Sequence, residues 1–120
     1  LPKGGHRAPD YLALNPQGLV PALEVDGRVI GQSLALIEYL DETHPEPPLL
    51  PRTPLERAEV RSLAQAIACD VHPLNNLRVT KYLRGELAQP EECVTAWIRH
   101  WIGEGFRALE TLARRHSADG

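Results

Sequence analysis

Residues 18–42, GLVPALEVDGRVIGQSLALIEYLDE, decide the fold. Residues 20–25 (VPALEV) read as a short strand, and Asp26-Gly27 carries the turn chemistry of a tight hairpin. Residues 28–30 (RVI) form the return strand, which Gly31 ends. Leu34, Ile37 and Leu40, with Ala35 and Leu36 beside them, then predict a short helix with Ser33 as its N-cap. Upstream, residues 9–13 predict a helical turn leading into the Asn15-Pro16 turn. Two features break the pattern. Pro21 stands inside an apolar run, although proline has no N–H to give a ladder. A polar pair, Gln32-Ser33, stands before the helix.

Outward from this stretch the composition changes. Five of the eleven prolines fall in residues 44–54, HPEPPLLPRTP, a run too rich in proline for helix and suited to a stiff linker. Beyond it everything predicts helix. Thr53-Pro54-Leu55-Glu56 is a capping box with Pro at the first helical position. Val60, Leu63, Ala64, Ile67, Ala68 and Val71 continue an apolar stripe. Pro73 interrupts it and is expected to kink the helix, since it removes the bond to the Cys69 carbonyl. The helix is expected to resume through Leu74, Leu77 and Tyr82 to about Gly85. Gln89-Pro90-Glu91 opens another, striped by Val94, Trp97, Ile98, Trp101, Ile102, Gly105, Leu109 and Leu112, to about Arg115. The reading is an α/β segment over residues 1–43, a linker over 44–53 and an all-α segment over 54–120.

A lone hairpin with one helix is marginal, and two long helices do not close a core. The 120 residues therefore read as the central portion of a larger chain. At 42% apolar and 24% charged residues the composition is that of a globular protein. A formal net charge of −3 argues against nucleic acid or an anionic membrane as the main partner. Cys69 and Cys93 fit no metal or redox spacing and read as small buried hydrophobes, in a reduced cytoplasmic protein. No metal site is expected.

Three places carry chemistry. A helix N-terminus presents unpaired N–H groups and positive potential, so Gln32-Ser33 there suits a carboxylate or phosphate. The alternative is that Ser33 is simply the cap. If the Val20-Pro21 bond is cis, the Val20 N–H and C=O can face outward and pair with an extended peptide; the alternative is a trans proline opening the strand. Third, in residues 70–78, DVHPLNNLR, His72 and Asn76 stand at i, i+4 spacing with Arg78 close by. Either they line a polar site where the kink opens the helix, or Asn75 and Asn76 satisfy carbonyls freed by Pro73.

The segments ALNPQGLVPALEVDGRVIGQSLALIEYLDETHPEPPLLP and ACDVHPLNNLRVTKYL closely resemble the zeta-class glutathione transferases, a group that includes maleylacetoacetate and maleylpyruvate isomerases. The NP-x-x-x-VP and QS-x-A-x-I-E-Y-L patterns are shared with many glutathione transferases, and HPLNNLR points to the zeta group. The resemblance implies a thioredoxin-like N-terminal domain joined to an all-helical domain, in a homodimer, with glutathione as the peptide ligand. It implies that Val20, before Pro21, pairs with the cysteinyl backbone. It implies that Gln32 and Ser33 hold the γ-glutamyl group, and that His6 lies near the glycyl end. His72, Asn76 and Arg78 would meet glutathione or a dicarboxylic substrate, with Arg78 stabilising the enolate formed during cis–trans isomerisation. The family's Ser-Ser-Cys-type motif is absent from these residues, so the 120 residues alone are expected to be inactive. The implied reaction converts maleylacetoacetate to fumarylacetoacetate in aromatic catabolism. A maleylpyruvate isomerase, a general transferase of the class, and a non-catalytic binding module are the alternatives.

Overall fold

The computed structural model describes residues 4–118. The chain divides into two compact units, Leu1–Leu50 and Pro51–Gly120.

In the first unit, a single 3-10 turn (Gly5–Arg7) leads into helix α1 (Pro9–Leu14), with Pro9 in its first turn, where an N–H would have no partner anyway. Strands β1 (Ala22–Val25) and β2 (Arg28–Gly31) pair antiparallel in the register Ala22↔Gly31 to Val25↔Arg28. Asp26 and Gly27 both take positive φ, 49° and 73°, which is the twist a two-residue hairpin turn requires. Helix α2 (Ser33–Thr43) packs on both strands, with Leu36 as its buried residue. The chain starts its strand two residues later than the apolar run suggests, because Val20 and Pro21 lie outside the ladder.

In the second unit, helix α3 (Pro54–Gln65) opens with both halves of the capping box: Glu56 N–H donates to the Thr53 hydroxyl, and Thr53 N–H donates back to the Glu56 carboxylate. The predicted kink takes a different form. Residues Ala66–Val71 widen into a π turn, in which the N–H of His72 reaches the Ile67 carbonyl five residues back. This absorbs the donor missing at Pro73 over a whole turn. Helix α4 (His72–Asn75) is one turn long, and the chain then leaves helix altogether at Asn76, with φ −63° and ψ 150°. Asn76 is the N-cap of helix α5 (Leu77–Arg84), its side chain accepting from Arg78 N–H at 3.0 Å. Helix α6 (Glu91–Ala118) follows, and α3, the π turn, α4 and α5 all pack against it.

Val94 on α6 is fully buried, with Val71 and Thr80 nearly so. The Trp97 indole N–H donates to the Leu74 carbonyl at 2.8 Å, tying α6 to the turn before Asn76. Trp97 and Trp101 meet edge to face at 5.8 Å between centroids, as packing rather than a stacking platform. Arg84 and Glu91 form a two-pronged ion pair that joins the end of α5 to the start of α6. The hydrogen bond holds the Glu91 carboxyl below, and the Arg84 guanidinium above, its ordinary pKa. Cys69 and Cys93 are both exposed, contrary to the sequence reading. Cys69 lies on an open groove with Pro73, Leu74 and Trp101, and Cys93 on another with Leu83, Leu87 and Trp97; no described element covers either. Among the described residues, no helix is long and apolar enough to cross a membrane.

Candidate functional site

The two irregular features of the opening stretch meet at the open end of the hairpin. Paired residue numbers in the ladder sum to 53 throughout, as in Ala22↔Gly31 and Val25↔Arg28. Ala22 and Gly31 end the ladder, so Pro21 and Gln32 are the next residues on each side, with Val20 and Ser33 one residue further. The Val20-Pro21 bond is cis. Val20 is exposed, and neither its N–H nor its C=O meets a partner among the described residues.

Ser33 is not the cap. Gln32 occupies the N-cap position with φ 72° and ψ 114°, and no side chain caps α2. The Ser33 hydroxyl is exposed and has no hydrogen-bond partner among the described residues. The physical reason is the turn out of β2: with Gln32 at positive φ the helix begins one residue early, which moves Ser33 into the first turn. Intrahelical bonding starts at Leu36 N–H, which donates to the Gln32 carbonyl at 3.1 Å. The N–H groups of Ser33, Leu34 and Ala35 therefore have no acceptor within the helix. Gln32 is steadied by its amide, which donates to the Gln17 side-chain oxygen at 3.0 Å.

The segment before Val20 is built from residues that sequence reasoning did not single out. The Asn15 side chain is buried and donates to the Leu19 carbonyl at 2.8 Å. The Tyr11 hydroxyl donates to the same carbonyl at 2.6 Å. Gly18 N–H closes a turn onto the Asn15 carbonyl, and Gln17 N–H donates to the Asn15 side-chain oxygen. Gly18 takes φ 58°, and a Cβ there would stand 2.9 Å from the Leu12 side chain and 3.1 Å from the His6 carbonyl. Only glycine fits. Asn15-Pro16 was legible as a turn, but the reach of its side chain to Leu19 was not. His6 thus sits behind this turn, half-buried, with its Nδ1 enclosed and unpartnered.

The remaining predicted residues belong to the second unit. His72 starts α4 and is exposed, Asn76 is the break, and Arg78 is exposed in the first turn of α5. Because Asn76 lies outside both helices, the i, i+4 relation to His72 does not hold. Asn75, rather than Asn76, serves a carbonyl of the bend: its amide donates to Val71 at 2.9 Å. The guanidinium of Arg78 has no partner among the described residues, so its charge is available. No described group of three His, Cys, Asp or Glu side chains is placed to hold a metal ion.

An open helix end carrying a hydroxyl, beside an unpaired strand-like backbone, presents donors suited to a carboxylate and a peptide backbone. Residues 1–48 match the family of the glutathione S-transferase N-terminal domain. The chain is also similar to zeta-class glutathione transferases. It is 53% identical over 110 residues to the maleylacetoacetate isomerase of Pseudomonas aeruginosa, covering 91% of this chain and 51% of that one. Among solved structures it resembles the maleylacetoacetate isomerase of Methylobacterium extorquens AM1 with bound malonate and glutathione. The TM-score is 0.86 at 46% identity, over 92% of this chain and 52% of that one. A holo maleylpyruvate isomerase, a bacterial zeta-class transferase, gives a TM-score of 0.84 at 45% identity, over 89% and 50%. The chain spans about half the length of the relatives it matches.

Proposed function

We propose that the full-length protein is a glutathione-dependent cis–trans isomerase that converts maleylacetoacetate to fumarylacetoacetate. The observation that carries this reading is the uncapped N-terminus of α2, with its free Ser33 hydroxyl, at the same hairpin end as the unpaired Val20 backbone. That donor set fits glutathione: three N–H groups and a hydroxyl for the γ-glutamyl carboxylate, and a backbone edge for the cysteinyl residue. Gln32 and Pro21 shape the same end, and His6 serves the glycyl end. Glutathione supplies the sulfur nucleophile whose reversible addition permits rotation about the substrate's double bond. Arg78, with an uncommitted charge, serves the substrate carboxylates and the developing enolate, and His72 and Asn76 line the same helical-domain site. Residues 1–43 are then the later part of a thioredoxin-like domain, 44–53 the linker and 54–120 the first part of the helical domain. A cytoplasmic homodimer completes the proposal, the two exposed free cysteines suiting a reducing compartment.

The alternative substrate is maleylpyruvate, favoured by the likeness to a maleylpyruvate isomerase. The test is conversion of each substrate by the full-length protein with and without glutathione. We expect turnover of maleylacetoacetate only when glutathione is present. A glutathione-independent rate, or none, would refute the reading, and turnover of maleylpyruvate alone would favour the alternative. The 120 residues contain no adjacent serine pair and are proposed to be inactive by themselves; a full-length rate from them would overturn that statement.

A further inference from the structure

The Leu19 carbonyl accepts from two side chains at once, the Tyr11 hydroxyl at 2.6 Å and the Asn15 amide at 2.8 Å. Both lone pairs of that oxygen are thereby used. Such double anchoring of one loop carbonyl by two different side chains exceeds what closing the Asn15–Gly18 turn requires, since the turn has its own bond from Gly18 N–H to the Asn15 carbonyl. The Leu19 carbonyl and the Val20 N–H belong to one planar peptide unit, and that unit is trans. In a trans unit the N–H points opposite to the C=O. Holding the carbonyl toward α1 therefore aims the Val20 N–H away from it, and that N–H has no partner among the described residues.

We infer that Tyr11 and Asn15 are positioning residues for the peptide ligand: they fix the orientation of the Leu19–Val20 peptide plane, and so aim the Val20 N–H at a ligand carbonyl. This rests on the glutathione reading above. Without the clamp the plane rotates about the flanking torsions, and the N–H must be re-aimed when the ligand binds, which lowers affinity without touching any ligand atom. The effect is confined to the ligand acceptor that Val20 serves. The γ-glutamyl end, held at α2, is unaffected.

The experiment is a cycle of protein and ligand changes in the full-length protein. Affinity is measured for glutathione and for an analogue in which an alkene replaces the cysteinyl–glycine amide, so that the carbonyl acceptor is gone. Wild type is expected to prefer glutathione. Tyr11→Phe, which keeps the ring and removes the hydroxyl, is expected to bind glutathione about five- to ten-fold more weakly, while its affinity for the alkene analogue stays at the wild-type value. Asn15→Asp, which keeps the acceptor used by Gln17 N–H and removes the donor, tests the same point should Tyr11→Phe fail to fold. Equal weakening toward both ligands, or unchanged affinity for glutathione, would overturn the positioning role. A wild type that binds glutathione but ignores loss of the carbonyl would overturn it too. Absence of glutathione binding by wild type would instead overturn the underlying site, and this inference with it.

Discussion

Gly105 faces the π turn from α6, and replacing it with alanine tests how the bend before His72 is held. A Cβ at position 105 would lie 2.1 Å from Val71 Cγ2 and 3.5 Å from Val71 Cβ. Non-bonded carbons settle at about 3.5–4.0 Å, so the overlap with the methyl is about 1.5 Å. Val71 is 6% exposed, and its branched side chain is stiff at χ1, which leaves little room to swing away. Alanine gains about 1 kcal/mol in helix propensity over glycine. Overpacking of this kind costs about 1–3 kcal/mol, and the size of the overlap puts the expected value near the top, for a net loss of about 2 kcal/mol. Val71→Ala alone deletes two buried methyl groups, at about 0.8 kcal/mol each plus a cavity contribution. In the double variant the new Cβ meets only the remaining Cβ of residue 71, at an ordinary 3.5 Å. The pair should therefore be more stable than the sum of the single effects by at least about 1 kcal/mol. Urea unfolding followed by circular dichroism measures all four proteins. A Gly105→Ala protein as stable as wild type, or strict additivity in the cycle, would refute the close approach.

Two further outcomes follow from the capping geometry. Ser33→Ala should weaken glutathione binding by about 1–3 kcal/mol, through loss of a charge-assisted hydrogen bond, with stability little changed because Ser33 caps nothing; an unchanged dissociation constant by calorimetry would exclude Ser33 from the site. Asn76→Ala should lower stability by about 1 kcal/mol through loss of the α5 cap. Asn76→Asp should restore it, yet raise KM for the dicarboxylic substrate by adding a negative charge; thermal unfolding and initial rates together check both halves.

What was legible in the sequence was local. Asp26-Gly27 specifies its own turn through two residues that tolerate positive φ, and Thr53 to Glu56 close their capping box within one turn. No distant contact is needed for either. The stripe on α6 was legible because a long helix packed on one side keeps its period. The second-unit bend was misread because the apolar spacing of Leu74 and Leu77 masks a stronger local preference. Asn76 can cap a helix with its own side chain, and it does so three residues after the proline that should have marked the break. The cysteines were misread because burial is set by what lies across from a residue, not by its type. For the same reason the Tyr11, Asn15 and Leu19 contacts left no periodic trace, being made across a turn by side chains of no particular pattern.

The hairpin explains why two unrelated oddities, a proline just before a strand and an uncapped helix, occur in one short stretch. In an antiparallel pair the turn fixes the register, and with it the two residues at which the chain leaves the ladder. With Asp26-Gly27 as the two-residue loop, Ala22 and Gly31 close the ladder, and Pro21 and Gln32 are the residues that leave it. One residue more or fewer in the turn would offset the two sides by a position. The unpaired Val20 backbone and the open end of α2 are thus brought to the same end of the hairpin by a turn at its opposite end. Neither Pro21 nor Ser33 carries that information itself, and a change at Asp26 or Gly27 is a change to the proposed site, though both residues lie outside it.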